Sequence, residues 1–242
     1  MQEIAHFIRG GQAPNWQQRY QERLSKTQDL RLRHFYQTGM IDGNTPLKDV
    51  PFVALDFETT GLNSKTDDIV SIGLIPFTIH RIYSKQAQHW VVKPKRPLAE
   101  ESVVIHGITH SDIQAAPDLR RILDQVLDAL AGKVVVVHYK TIERQFMDTA
   151  LQLRIGEGIE FPVVDTLALE YEIERQKHSG FWNRLRGRRP GSVRLNKCRE
   201  RYGLPTYQPH HALTDAIATA ELLQAQIAYH FTPETPICQI WE

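Results

Sequence analysis

Residues Val134 to Phe146 read VVVVHYKTIERQF. Four consecutive valines are too few for a helix and too apolar for a surface strand. They predict a central strand covered on both faces. From about Thr141 the pattern turns helical, with one acid, Glu143, among basic and apolar neighbours. Upstream, DLRRILDQVLDAL sets Leu119, Ile122, Leu123, Val126, Leu127 and Leu130 on one helical stripe, closed by Gly132. Downstream come a strand at FPVV (Phe161–Val164), a helix from about Leu167 and a last helix from about Ala212. PFVALDF (Pro51–Phe57) predicts an earlier strand, and the stretch from Asp67 to Pro94 predicts two or three more with hairpin joins. A meander followed by strand–helix alternation predicts an α/β fold, a mixed sheet flanked by helices.

The segment from about Gln12 to Gln37 predicts a separate helical stretch, and the turn-rich TGMIDGNTP divides it from the body. The expected organisation is therefore an N-terminal helical extension over 1–48, a main domain over 49–230 and a tail over 231–242. An apolar fraction of 41% is enough to fill a core, while a net charge of +1 leaves any nucleic-acid partner to be sought in local clusters. Cys198 and Cys238 make no disulfide framework, which suits a reducing compartment. MQEIAHFIRGG has no apolar core of signal-peptide length, and no run approaches the ~20 apolar residues of a membrane span. The expectation is a cytoplasmic protein with no membrane partner.

DFETTGL (Asp56–Leu62) carries the first chemical signal. Residues two apart on a strand share a face, so Asp56 and Glu58 aim side by side while Phe57 turns away. Two carboxylates at the end of an apolar strand repel each other, and burying them unpaired costs several kcal/mol. A hard divalent cation such as Mg²⁺ or Mn²⁺ relieves that repulsion. HHALTDAIATAELL (His210–Leu223) carries the second, with Asp215 in the first turn of the last helix and His210 on the loop before it. An imidazole near a metal cluster is suited to general-base work, its ordinary pKa being about 6.5.

DFETTGL, IHGIT (Ile105–Thr109), VVVVH with its helix, and HHALTD stand in the order and spacing of the DEDD-type 3′–5′ exonucleases. More narrowly the chain resembles their histidine-bearing DEDDh branch, which includes the proofreading epsilon subunit of bacterial DNA polymerase III. The resemblance spans about Phe52 to Ile227, with further echoes in VVDTLAL (Val163–Leu169) and LNKCRERYGLP (Leu195–Pro205). It implies a ribonuclease H-like mixed five-stranded sheet and metal-dependent hydrolysis from the 3′ end, releasing nucleoside 5′-monophosphates. Asp56 and Glu58 match the family's first two acids, Asp215 its last, and His210 its histidine; His211 falls on a variable position.

The second motif departs from the pattern, with Tyr139 in place of the asparagine and Glu143 in place of the aspartate. The family's second motif runs His-Asn-x-x-Phe-Asp, and here the matching letters are His138-Tyr139-Lys140-Thr141-Ile142-Glu143. Asp148, five residues further along the helix, lies on another face and over 7 Å along the axis. Glu143 is therefore expected as the fourth acid, giving a DEED set plus histidine. By resemblance this set implies two Mg²⁺ (or Mn²⁺) ions, with Asp56 bridging them, Glu58 and Asp215 at the ion that binds water, and Glu143 at the other.

For the strand itself, the resemblance puts Thr59 and Thr60 beside the terminal nucleotide and His106 in its pocket. The stretch from Arg175 to Arg194 adds a basic insertion without an acid. Within it Phe181 and Trp182 interrupt a run that includes Arg184, Arg186, Arg188 and Arg189, the residue types that stack on unpaired bases and neutralise phosphates. Single-stranded DNA is the expected partner, with a DNA polymerase as a possible second. An exoribonuclease, or a catalytically weak module that binds nucleic acid or a polymerase, is the alternative.

Overall fold

The computed structural model describes residues 14–95, 107–178 and 191–242. Its centre is one five-stranded sheet in the order β3-β2-β1-β4-β5. The strands are β1 (Phe52–Thr59), β2 (Ile69–Phe77), β3 (Gln88–Val91), β4 (Val134–Val137) and β5 (Val163–Asp165). β2 runs antiparallel to β1 and β3, while β1, β4 and β5 run parallel. The mixed sheet expected from the sequence is present, with the all-valine β4 wholly buried between neighbours.

Eight α-helices are described: α1 (Trp16–Lys26), α2 (Leu30–Gln37), α3 (His110–Ala115), α4 (Leu119–Leu130), α5 (Lys140–Ile155), α6 (Thr166–His178), α7 (Leu195–Arg201) and α8 (Ala212–His230). The six-residue stripe read on α4 is buried in full. The expected single helical stretch over 12–37 is two helices instead. Asp29 adopts an extended conformation and its side chain accepts the Arg31 N–H, so the chain restarts at a new N-cap. α1 and α2 add Trp16, Tyr20, Leu32, Phe35 and Tyr36 to the same apolar core as the sheet.

The C-terminal residues join that core through Ile237, Ile240 and Trp241. Glu242 and Val163 exchange main-chain hydrogen bonds of 2.9 and 3.1 Å, so the chain end lies along β5. Residues 43–48 and 233–238 are also bonded to each other, from Leu47 N to Thr235 O at 2.9 Å and from Ile237 N to Thr45 O at 3.0 Å. Among the described residues no helix is long and apolar enough to cross a membrane.

α8 is held in place by two features. Arg199 of α7 is buried and donates to Ala218 O at 2.6 Å, Pro205 O at 2.8 Å and the Glu221 carboxylate at 2.7 Å. At its N-terminus α8 starts over β2, where Gly73 has no side chain to hold it off.

Candidate active site

Asp56 and Glu58 lie on one face of β1, opposite Gly73 and Ser71 of β2. Just after Glu58 the register shifts, so the chain leaves the sheet at Thr59. The turn that follows is held by its own side chains. Thr59 Oγ1 donates to Gly61 O at 2.6 Å, Thr60 Oγ1 accepts the Asp68 N–H at 2.9 Å, and Asp67 accepts the Asn63 N–H at 2.9 Å. The Gly61 position crowds against the Asp67 carboxylate, so no larger residue fits there unaltered. Both threonine hydroxyls thus help to hold the turn, and the Leu62 side chain stands out from it, largely exposed.

Asp215 arrives from the first turn of α8. Its donor oxygen and those of Asp56 and Glu58 lie within 4.8 Å of one another. His210 has a left-handed backbone, φ 69°, and its N–H donates to Asp215 Oδ2 at 2.8 Å. That bond folds the loop back over the helix start and brings the exposed His210 to the cluster's edge. His211 has a structural part. Its Nδ1 accepts the Thr214 N–H as the N-cap of α8, and its ring lies 4.6 Å from that of His89 on β3.

Glu143 is 4% exposed, on the first turn of α5. It lies outside the close triplet, yet it comes first among the charges that act on Asp56. Its Oε2 is buried and has no hydrogen-bond partner among the described residues. Burial pushes the Glu143 carboxyl well above the usual range, and Asp165 adds to the shift. Asp56 is raised in the same direction, by burial first and then by Glu143, Asp215 and Glu58; burial also raises Asp215, against the His210 N–H bond. Asp148 is elsewhere, accepting from Ile159 N at 3.0 Å and Gln152 Nε2 at 2.9 Å.

Asp165 gained no role from the sequence and has a large one here. At the end of β5 it accepts from Tyr139 N (3.0 Å), Lys140 N (3.1 Å) and Leu167 N (3.0 Å), tying the starts of α5 and α6 to one carboxylate. An aspartate between a strand and a helix is an N-cap signal, so VVDT held the clue for α6 but not for α5. His138 is anchored beside it: Val193 O accepts from Nε2 at 3.0 Å, and Nδ1 faces Thr166 Oγ1 at 2.8 Å. His106, Phe181, Trp182, Arg184, Arg186, Arg188 and Arg189 lie outside the described residues.

An all-oxygen donor set, an Asp56 carboxyl raised by burial and by the charges of Glu143, Asp215 and Glu58, and an orphaned Glu143 carboxylate oxygen beside them suit a hard divalent cation. This cluster on a ribonuclease H-like sheet defines a hydrolase of the nuclease class. The chain belongs to the exonuclease (RNase_T) family, whose sequence profile matches residues 53–223.

Among its relatives is a DNA polymerase III subunit epsilon-like protein of Rhodobacter capsulatus, 30% identical over 182 residues, 73% of this chain and 24% of that one. The DNA polymerase III subunit epsilon of Treponema pallidum is 26% identical over 181 residues, 75% of this chain and 78% of that one. A PolC-type DNA polymerase III of Thermotoga petrophila is 28% identical over 179 residues, and the match spans only 12% of its length. Among solved structures, the nuclease domain of 3′hExo, a DEDDh family member bound to rAMP, superposes with a TM-score of 0.58 at 16% identity, over 74% of this chain and 92% of that one. E. coli exonuclease I with a dT13 oligonucleotide gives 0.57 at 14% identity, over 75% and 42%. At such identities these two likenesses concern the fold.

Proposed function

We propose that this chain is a 3′–5′ exonuclease dependent on two divalent cations, acting on single-stranded DNA and releasing nucleoside 5′-monophosphates. The convergence of Asp56, Glu58 and Asp215 within 4.8 Å, with the buried Glu143 beside them, carries the reading. Asp56, Glu58, Asp215 and Glu143 are the residues to hold Mg²⁺ or Mn²⁺. Bound there, such ions supply charge neutralisation for the scissile phosphate and acidify water.

The protein's own groups do the rest. His210 takes the proton of the attacking water; the oxygen adds to phosphorus in line, and the bond to the leaving 3′ oxygen breaks, that oxygen taking up a proton from solvent water. Asp215 positions His210 through the 2.8 Å bond to its main-chain N–H. Asp165 fixes the start of α5 and so the approach of Glu143 to Asp56. The Thr59–Leu62 turn receives the terminal nucleotide, and the basic insertion contributes to strand binding. Relatives named for DNA polymerase III make a polymerase the proposed protein partner.

The substrate is tested with matched DNA and RNA oligomers labelled at the 5′ end, in Mg²⁺ or Mn²⁺. Faster shortening of DNA from the 3′ end is expected; faster shortening of RNA would reassign the enzyme as an exoribonuclease.

A further inference from the structure

Tyr139 joins β4 to α5 with φ 98° and ψ 74°, a left-handed backbone that crowds any side chain and that glycine or asparagine tolerates better. The cause of the conformation is local: Asp165 takes the N–H groups of both Tyr139 and Lys140. Nothing in that cause asks for an aromatic residue. The ring is nonetheless 45% exposed, and its phenol makes no hydrogen bond among the described residues. A bulky side chain kept in a strained conformation without a partner in the fold points to a use outside it.

Its position suggests the use. β1 and β4 are parallel neighbours, with Ala54 paired to Val136, so their carboxyl ends lie side by side. Asp56 stands two residues beyond that pair and Tyr139 three. Glu143 follows one helical turn along α5, its charge acting on Asp56. Tyr139 therefore flanks the carboxylate cluster on the α5 side, while the Thr59–Leu62 turn flanks it on the β1 side. Lys140 beside it is already engaged, in an ion pair with Glu242.

We infer that Tyr139 is a substrate-binding residue whose ring stacks on the unpaired base immediately 5′ of the scissile phosphate. The inference rests on the exonuclease reading, which puts the terminal nucleotide at the Thr59–Leu62 turn and leaves the preceding one for the α5 side. An exposed neutral ring beside an acidic cluster suits a base better than a phosphate, and stacking accepts any base.

The test uses the full chain, a short single-stranded DNA, the same DNA with an abasic residue one nucleotide before its 3′ end, and the p-nitrophenyl ester of thymidine 5′-monophosphate. Tyr139→Asn is expected to raise Tm by relieving the backbone and to raise KM for intact DNA about tenfold. The abasic DNA should raise the wild-type KM by a similar factor and have no further effect on the variant, and Tyr139→Phe should behave as wild type. An unchanged KM for intact DNA in Tyr139→Asn, or independent effects of the variant and the abasic residue, would overturn the inference. A wild type that hydrolyses neither ester nor DNA defeats the exonuclease reading instead; fluorescence anisotropy of the same DNA then decides, and a Kd unchanged by Tyr139→Asn overturns the stacking role.

Discussion

Gly73 lies directly under the peptide that joins Ala212 to Leu213, and a methyl group in its place would overlap that backbone. Gly73 is also the cross-strand partner of Asp56. The missing side chain on β2 thus lets the start of α8 descend beside β1 and carry Asp215 to within 4.8 Å of Asp56 and Glu58. Gly73→Ala must lift α8, because the obstacle is main chain rather than a side chain that can turn aside. Overpacking of this kind costs about 1–3 kcal/mol, or very roughly 2–12 °C in Tm for a domain of this size. Calorimetry should show that loss, and Mn²⁺ affinity should fall with it; an unchanged Tm would mean that the helix can shift freely.

Burial raises the carboxyl groups of Asp56 and Glu143; the charges of Glu143, Asp215 and Glu58 add to the shift at Asp56, and Asp165 adds to it at Glu143. A carboxyl whose pKa is higher folded than unfolded stabilises the fold below its unfolded value, and that contribution is lost as pH rises through the folded value. At neutral pH and without metal, the cluster is therefore a destabilising feature. Asp56→Asn should raise the Tm of the chelated protein at pH 8. Mg²⁺ at a hundred times its Kd should stabilise the wild type by about 2.7 kcal/mol and the variant far less. Thermal melts with and without chelator measure both.

Glu143 occupies a position where a shorter acid would withdraw its carboxylate by one methylene. A shift of about 1 Å in such a group costs on the order of a hundredfold in rate. Glu143→Asp should accordingly lower kcat by about that factor, and Glu143→Gln by at least as much. Steady-state rates on single-stranded DNA decide the matter: a faster Glu143→Asp enzyme would show that the glutamate weakens the site.

His138 is buried against Thr166 and Val193, and burial holds its pKa below the ordinary value. An imidazole with a depressed folded pKa supports the fold above about pH 6.5, its unfolded value, and this support is lost as pH falls through the folded value. The Tm difference between wild type and His138→Asn should shrink between pH 7.5 and about pH 5, the carboxylates being common to both. A constant difference across that range would remove His138 from the acid response.

Much of this architecture is legible in the sequence because its signals are local. Four valines can only be interior, the α4 stripe repeats at helical spacing, and Asp56 and Glu58 share a strand face by simple alternation. Asp215, His210 and Glu143 are joined to that pair only by motif order, since no local rule brings residues so far apart together. Hidden features all depend on remote partners. Nothing near Gly73 announces the helix above it, and nothing near Asp165 announces that it also caps the helix of Glu143. Asp67 and Asp68 secure the Thr59–Leu62 turn from the far side of a loop, and the restart at Asp29 is a cap inside an otherwise helical pattern.

The central claim is that Asp56, Glu58, Glu143, Asp215 and His210 form one hydrolytic centre. A time course on 5′-labelled single-stranded DNA in Mg²⁺, run with the wild type, with the wild type in EDTA and with His210→Ala, tests it most directly. The expected result is stepwise shortening from the 3′ end by the wild type, none in EDTA, and a rate about 10²–10⁴ lower for His210→Ala with Mn²⁺ binding retained. Intact DNA under every condition, or equal ladders with EDTA or without His210, would contradict it.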